Sequence, residues 1–373
     1  MKYISIVIVG VLAIFSFVGI IDKIFFNSRY GYGNEFVKGI ETIGPLCISM
    51  VGIICLVPEL TTLLSHTLCP LYELLGLDPS LAVSTILAID MGGYQLSMSI
   101  AATDIIGKWA GIIYASMMGT TIVFTVPVGL GIIDTKDHNE FSIGVICGIA
   151  SIPLGAFVGG LLLGIHVLVI LKNLIIPTVF SIVIMLLLAF FLEKTTKVFI
   201  SIGKFISALA LIGLGLGIIK DLVLVPLSNT GLININNIFF FNNLGPLSEG
   251  LVVVGLIGLM LSGALPFVYF LKKALNKPLN ALTTSTNMSE VGISGLLLSA
   301  ANNIAMFVTL NKMSKKEKII NCAFAVPAAF VIGDDLAFAA SNASDCIIPM
   351  MLAKLISGIL AIVIAKIYCN RKL

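Results

Sequence analysis

Nine apolar runs, each long enough to cross a bilayer, dominate this sequence: 3–25, 40–64, 109–133, 141–170, 173–192, 198–225, 247–271, 318–340 and 346–368. A helix rises 1.5 Å per residue, so about 20 apolar residues cover the roughly 30 Å hydrocarbon core of a membrane. Composition agrees. Of 373 residues, 58% are hydrophobic and only 11% charged, against the roughly 25% with which a soluble domain solvates its surface. The chain therefore reads as an all-α polytopic membrane protein. That excludes a soluble enzyme, a secreted disulfide scaffold and a disordered chain. A net charge of +3 is too small and too dispersed to bind a phosphate backbone, so no nucleic-acid partner is expected. The seven cysteines form no C-x-x-C pair and the three histidines have no ligand-like spacing, so neither a metal nor a cofactor is expected. The first run, from Tyr3 to Ile21, is longer than a signal-peptide core and lacks a small-residue cleavage site; it is expected to stay as the first helix.

Two further stretches, 79–103 and 279–310, are broken at their centres, by Asp90-Met91-Gly92-Gly93-Tyr94 and by Asn287-Met288-Ser289-Glu290-Val291-Gly292. Carboxylates and paired glycines do not belong in a lipid-facing helix; irregular backbone at membrane depth is tolerated only where protein buries it or a wet cavity borders it. The lysine pattern points the same way. Clusters at Lys272/Lys273/Lys277 and at Lys312/Lys315/Lys316/Lys318 flank the second stretch, whereas 65–78 and 226–245 hold no Lys or Arg. Lys-rich loops mark the cytoplasmic face, so the second stretch enters and returns on that side and the first on the other. The expected topology is nine full spans plus two re-entrant or broken helical segments, N-terminus outside and C-terminus inside. Eleven full spans is the alternative.

The chain also repeats itself at an offset near 200. Phe124, Val126, Pro127, Ile132 and Asp134 recur as Phe324, Val326, Pro327, Ile332 and Asp334, and Gly44-Pro45-Leu46 recurs as Gly245-Pro246-Leu247. The expected organisation is a first transmembrane repeat over 1–170, a linker span over 171–197 and a second repeat over 198–373. An odd number of crossings before the second repeat inverts it. Inverted repeats with broken helices are a plan of secondary transporters, with substrate held where the halves meet.

The chemistry-bearing residues are the acids left in apolar surroundings, chiefly Asp90, Glu290, Asp334 and Asp335. Each costs about 2.5–3.5 kcal/mol to place near a helix centre, so each needs a partner or a wet cavity. A small organic cation or a coupling ion satisfies that need; capping of half-helix N-termini, where the dipole favours negative charge, is the structural alternative. Gly92, Gly93, Tyr94, Gln95, Asn287, Ser289, Asn302 and Asn303 complete a candidate substrate pocket, although such polar side chains also serve as interhelical hydrogen bonds. Lys354, inside the last run, is able either to pair with a carboxylate or to extend to the interface. No catalytic constellation is present, so the chain is not expected to be an enzyme.

Gly31-Tyr32-Gly33-Asn34-Glu35-Phe36, Asp90-Met91-Gly92-Gly93-Tyr94, Ser116-Met117-Met118-Gly119 with Phe124-Thr125-Val126-Pro127, and Gly333-Asp334-Asp335-Leu336-Ala337-Phe338 together resemble the ethanolamine-utilisation membrane protein family, bacterial ethanolamine permeases. The resemblance covers about residues 20–345, and departs where Ile89 stands in place of an expected Asn and Asp335 in place of an expected His. It implies uptake of ethanolamine, or a similar small amine, across the bacterial inner membrane by alternating access, passively or coupled to sodium or protons. A homo-oligomer is compatible with it. A carrier of another polar solute, or a non-transporting receptor or anchor of the utilisation machinery, are the other readings. The topology is checked directly: Leu275→Cys and Lys315→Cys should both react with an impermeant maleimide from the cytoplasmic face, and labelling from opposite faces would overturn the re-entrant reading.

Overall fold

A computed structural model describes residues 2–231, 243–286 and 288–372. Helices and turns make up the described residues, with no strand among them. Seven helical runs there are long and apolar enough to cross a membrane: Ser5–Phe25, Tyr32–Leu74, Asp104–Ile132, Thr135–Leu162, Val167–Asn229, Leu247–Ala274 and Ser344–Lys372. The helical backbone bonds to itself, which is the condition for standing in hydrocarbon. The protein is a multi-pass membrane protein.

The count differs from the nine apolar runs for two reasons. Runs 173–192 and 198–225 join into one helix, Ile175–Ile219, which bends at Phe191 (φ −136°, ψ 43°). The bend is sharp enough for the Thr195 hydroxyl to donate to the Leu187 carbonyl, eight residues back, at 3.1 Å. Run 318–340, in contrast, is not one helix. It divides into Lys315–Ala328 and Asp334–Asn342, separated by a non-helical turn in which Phe330 takes a positive φ of 58°.

The elements used below are α1 (Lys2–Phe25), α2 (Tyr32–Glu41), α3 (Gly52–Leu74), α4 (Ser80–Ile86), α5 (Tyr94–Ile100), α6 (Asp104–Ile132, helical throughout with wide turns), α7 (His138–Leu162), α8 (Ile175–Ile219), α9 (Leu247–Thr286), α10 (Glu290–Ala301), α11 (Asn303–Phe307), α12 (Lys315–Ala328), α13 (Asp334–Asn342) and α14 (Ile347–Lys372). Helix α7 organises the packing. Its Gly144 and Gly148 face Cys322 and Val326 of α12, and its Gly155 and Gly159 face Ser357 and Ala353 of α14. Numbers rise together in the first pair and oppositely in the second, so α7 runs parallel to α12 and antiparallel to α14. Glycines four apart share one helix face, and without Cβ atoms they let backbones approach closely, the main source of attraction between helices in lipid. A Cβ on Gly144 would lie 2.5 Å from that of Cys322. Ser151 and Ser357 also meet at 2.9 Å across the α7–α14 contact. On the other flank, α9 lies against α1 and α2, with Phe15 packed between Phe267 and Phe270 at 5.2 and 5.3 Å.

The stretch 79–103 folds as a hairpin of two short helices, α4 and α5. Their facing sides are joined by Ser84 and Ser97, whose hydroxyls lie 2.6 Å apart. The two ends of the hairpin meet at one buried carboxylate: Asp78 accepts from Ser80 N at 3.0 Å and from Ala102 N at 2.9 Å. The stretch 279–310 is built differently. Helix α9 continues through residue 286, and α10 starts afresh with Ser289 as its N-cap. α10 then runs parallel to α12, since Ser289 N donates to Glu317 at its start and Phe330 N donates to Ser299 O at its end. Hydrogen bonds to a charged group contribute about 1.5–3 kcal/mol each. Asp78→Ala should therefore destabilise the protein by about 2–3 kcal/mol, read as a lower unfolding temperature in detergent, while Asp78→Asn should lose less.

Candidate functional site

Two interruptions in the helical backbone bring the chemistry together. The first is the turn 87–93 between α4 and α5. Leu87 and Ala88 are extended, Gly92 takes φ 89°, and the free N–H groups of Met91 and Gly93 both donate to Ala88 O at 3.0 Å. A side chain at Gly92 would be strained by that φ and would also strike Ile53 of α3. Gly119 of α6 makes room for the turn from the other side, since a Cβ there would sit 2.0 Å from Leu87 O. The second interruption is 329–333 between α12 and α13. Its Phe330 and Ile332 N–H groups donate to Ser299 O and Ala300 O, at 3.1 and 3.0 Å. Thus the last turn of α10 satisfies backbone groups that lipid could not, and Gly333 is the residue small enough to sit against Ala301 O.

The two interruptions face each other. Tyr94, first residue of α5, packs edge-on to Phe338 of α13 with ring centroids 5.7 Å apart, and its hydroxyl reaches Asn342 O at 3.5 Å. Asp90 sits in the first turn, and Asp334 and Asp335 begin α13, where the helix dipole favours negative charge. Asp334 and Asp335 are consecutive at the start of α13, and Asp90 lies in the turn that the Tyr94–Phe338 contact holds against that helix. Their situations differ. Asp335, 3% exposed, pairs at 2.8 Å with the ammonium of Lys354, which has no exposed surface and also donates to Ser116 O at 2.7 Å. Asp90 and Asp334 are half-buried and form no ion pair among the described residues. Beside Tyr94, both side-chain amide atoms of Gln95 are buried without a hydrogen-bond partner among the described residues.

Asp90, Gly92, Gly93, Tyr94 and Gln95 thus lie at one of the two facing interruptions, and Asp334 and Asp335 at the other. The other described candidates lie along α10 and just beyond its ends. Glu290 is exposed at the start of α10. Ser289 caps that helix and bonds to Glu317, whose own hydrogen bonds are completed by Ser314; burial opposes the Glu317 charge, yet these bonds hold its carboxyl below the usual range. Twelve helical residues, about 18 Å, separate this end of α10 from the end beside Gly333. At that far end, Asn302 spends its side chain on capping Ile304 N at 2.8 Å, and buried Asn303 donates to Thr125 Oγ1 and Ala325 O, each at 3.2 Å. Asn303 Oδ1 is left without a partner among the described residues. Asn287 lies outside the described residues.

Lys354 was the functional residue least readable from sequence. The signal was present, a lone ammonium in mid-run, but nothing local told pairing from snorkelling; only the packing of α14 against α6 does. An apolar cleft of about 450 Å³ between α3, α4 and α8 is lined by Ile53, Leu60, Leu64, Ile86 and Phe205 among others and offers an amine no counter-charge. Removing one partner of a buried ion pair strands the other charge. Lys354→Met should therefore cost about 3–5 kcal/mol of stability, and Lys354→Met/Asp335→Asn should recover most of it, as thermal unfolding in detergent would measure.

Comparison with known proteins follows the same residues. Residues 4–368 match the family described as ethanolamine utilisation protein, EutH. The chain is 42% identical over 365 residues, 98% of its own length and 94% of the relative's, to a probable ethanolamine permease EutH of Listeria monocytogenes. It is 37% identical over 359 residues, 91% of this chain and 86% of the relative, to the probable ethanolamine permease EutH of Escherichia coli. An uncharacterized protein YxeR of Bacillus subtilis is 37% identical over 357 residues, covering 95% and 92% of the two chains. No solved structure matches. Two of these relatives carry a permease name and none an enzyme name, and the chain belongs to the ethanolamine utilisation protein EutH family.

Proposed function

We propose that this protein carries ethanolamine across the bacterial inner membrane by alternating access, and that it binds the substrate between the 87–93 turn and the start of α13. One observation carries the reading: Asp90 and Asp334, half-buried carboxylates, stand at two breaks that face each other through Tyr94 and α13, with no ammonium of the protein paired to either among the described residues. Ethanolamine at neutral pH is an ammonium ion bearing a hydroxyl. The carboxylates replace the water lost by its ammonium, and the unpartnered Gln95 amide accepts and donates to its hydroxyl. Asp335 is neutralised internally by Lys354 and stays out of contact with substrate. The permease names of the relatives support the same cargo.

Charge balance bears on coupling. With Asp335 paired to Lys354, one amine leaves one carboxylate of the Asp90–Asp334 pair uncompensated. A second monovalent cation, a proton or a sodium ion, completes the neutralisation that a low-dielectric site requires. Residues 1–170 and 198–373 act as inverted halves joined through 171–197. The antiparallel contact of α7 with α14, helices of the two halves that each follow a short 3-10 turn, supports that division.

Proteoliposomes given labelled ethanolamine at pH 6 test the proposal. Asp90→Asn and Asp334→Asn should each lower uptake at least about tenfold, the scale of one lost ionic hydrogen bond, and Glu290→Gln should transport normally. Unimpaired uptake in both aspartate variants would place the site elsewhere. Collapsing the proton and sodium gradients separately identifies the coupling ion, and uptake indifferent to both would make the carrier passive.

A further inference from the structure

Two lysine–aspartate pairs outside the carboxylate site are built alike. Lys318, in α12, reaches Asp137 at 2.7 Å; Lys108, in α6, reaches Asp345 at 2.7 Å. Each lysine lies near the start of a helix that borders one of the interruptions: α12 ends at 329–333, and α6 packs on the 87–93 turn through Gly119. Each aspartate lies in a 3-10 turn, Thr135–Asp137 or Ser344–Cys346, that feeds directly into α7 or α14. Each pair joins one half of the chain to the other, in reciprocal sense: lysine from the second half to aspartate of the first, then lysine from the first to aspartate of the second.

Direction completes the correspondence. α12 runs parallel to α7, as Gly144–Cys322 and Gly148–Val326 record. α6 runs parallel to α14, as Lys108–Asp345 and Ser116–Lys354 record. α7 and α14 are antiparallel, so their starting turns, and with them the two ion pairs, lie at opposite ends of a bundle about 37 Å long by the length of α7. The arrangement is that of two copies of one contact related by a two-fold axis lying across the helices.

The pairs differ in one respect. The Lys318–Asp137 side chains are 10% and 7% exposed, those of Lys108–Asp345 27% and 55%. A second pair, Lys315 and Glu140 at 4.0 Å, stands beside the first. An ion pair in water holds weakly, whereas a desolvated one resists separation because each charge would be stranded. The structure is therefore shut at the Lys318–Asp137 end and lightly latched at the other.

From this we infer that the two pairs are the reciprocal gates of the transport cycle: Lys318–Asp137 closes one end of the path to Asp90 and Asp334, Lys108–Asp345 closes the other, and the cycle exchanges which pair is desolvated. The gates rest on the carrier reading but not on the identity of its cargo. A rocking motion about the α7–α14 contact, held near its middle by Ser151 and Ser357, opens one end as it buries the other.

The experiment reads access without substrate. Ser341→Cys, half-buried on α13 near Tyr94, is labelled by an impermeant maleimide in right-side-out and in inverted vesicles, and the modified residue is identified by mass spectrometry. Lys318→Met/Asp137→Leu, which strands no charge, should raise labelling from the Lys318 face and lower it from the other by about tenfold; Lys108→Met/Asp345→Leu should move it in the opposite sense. Unchanged labelling from both faces in two well-folded variants would overturn the inference. Should the paired neutral variants fold poorly, Lys318→Cys/Asp137→Cys joined by a short reducible bis-thiosulfonate provides the second arm. The linker should stop transport and reductant should restore it; transport undisturbed by the linker also overturns the gates. If labelling shifts as expected while the parent protein moves no ethanolamine, the gates stand and the amine assignment fails.

Discussion

Charge and bare backbone are both unstable in hydrocarbon, and most of the unusual geometry in this protein answers that constraint. Two helical stretches are interrupted inside the protein, and each interruption leaves N–H and C=O groups that lipid could not satisfy. At 87–93 the turn bonds to itself through Ala88 O; at 329–333 the end of α10 supplies the acceptors. Once those backbones are satisfied, carboxylates become tolerable at the same places. Asp334 and Asp335 gain a helix N-terminus, and Asp335 also gains Lys354.

The fate of the acids separates structure from chemistry. Asp78, Asp137 and Asp335 are buried, and each is tied to backbone N–H groups or to a lysine. They hold elements in place. Asp90 and Asp334 are placed by equally rigid surroundings yet lack a charged partner among the described residues, and that difference between neighbouring carboxylates is what directs attention to an external cation. Lys354 neutralises Asp335 within the protein, which in the proposed carrier leaves Asp90 and Asp334 as the charges for a cation to balance.

Much of this was legible in the residues. The long apolar runs dictated helices across a membrane, and Asp90-Met91-Gly92-Gly93-Tyr94 declared a break because a carboxylate and two glycines cannot continue a lipid-facing helix. Its re-entrant form was expected from the lysine-free connection 65–78, against Lys108 on the other side, and a hairpin is visible in the meeting of Ser80 and Ala102 at Asp78. The expected second break is present, since α10 starts afresh at Ser289, but it does not face the first. Asn287–Gly292 looked like its counterpart, but the interruption facing Asp90 is 329–333, within a run whose hydropathy alone reads as continuous. Hydropathy registers side-chain polarity, and Ala329-Phe330-Val331-Ile332 carries none; the break there is a matter of backbone conformation and of Gly333 against Ala301.

Sequence by itself determined the class, the membrane setting, the residues unable to lie in lipid without a partner, and the family. Those follow from period, polarity and residue identity, which are local properties. Tertiary structure alone decided which of those residues meet: Asp90 with Asp334, Asp335 with Lys354, Lys318 with Asp137, and Glu290 with none of them. Pairing between separate helices, 181 residues apart for Lys318 and Asp137, depends on how glycine-faced helices such as α7, α12 and α14 approach one another, and no local pattern records that approach.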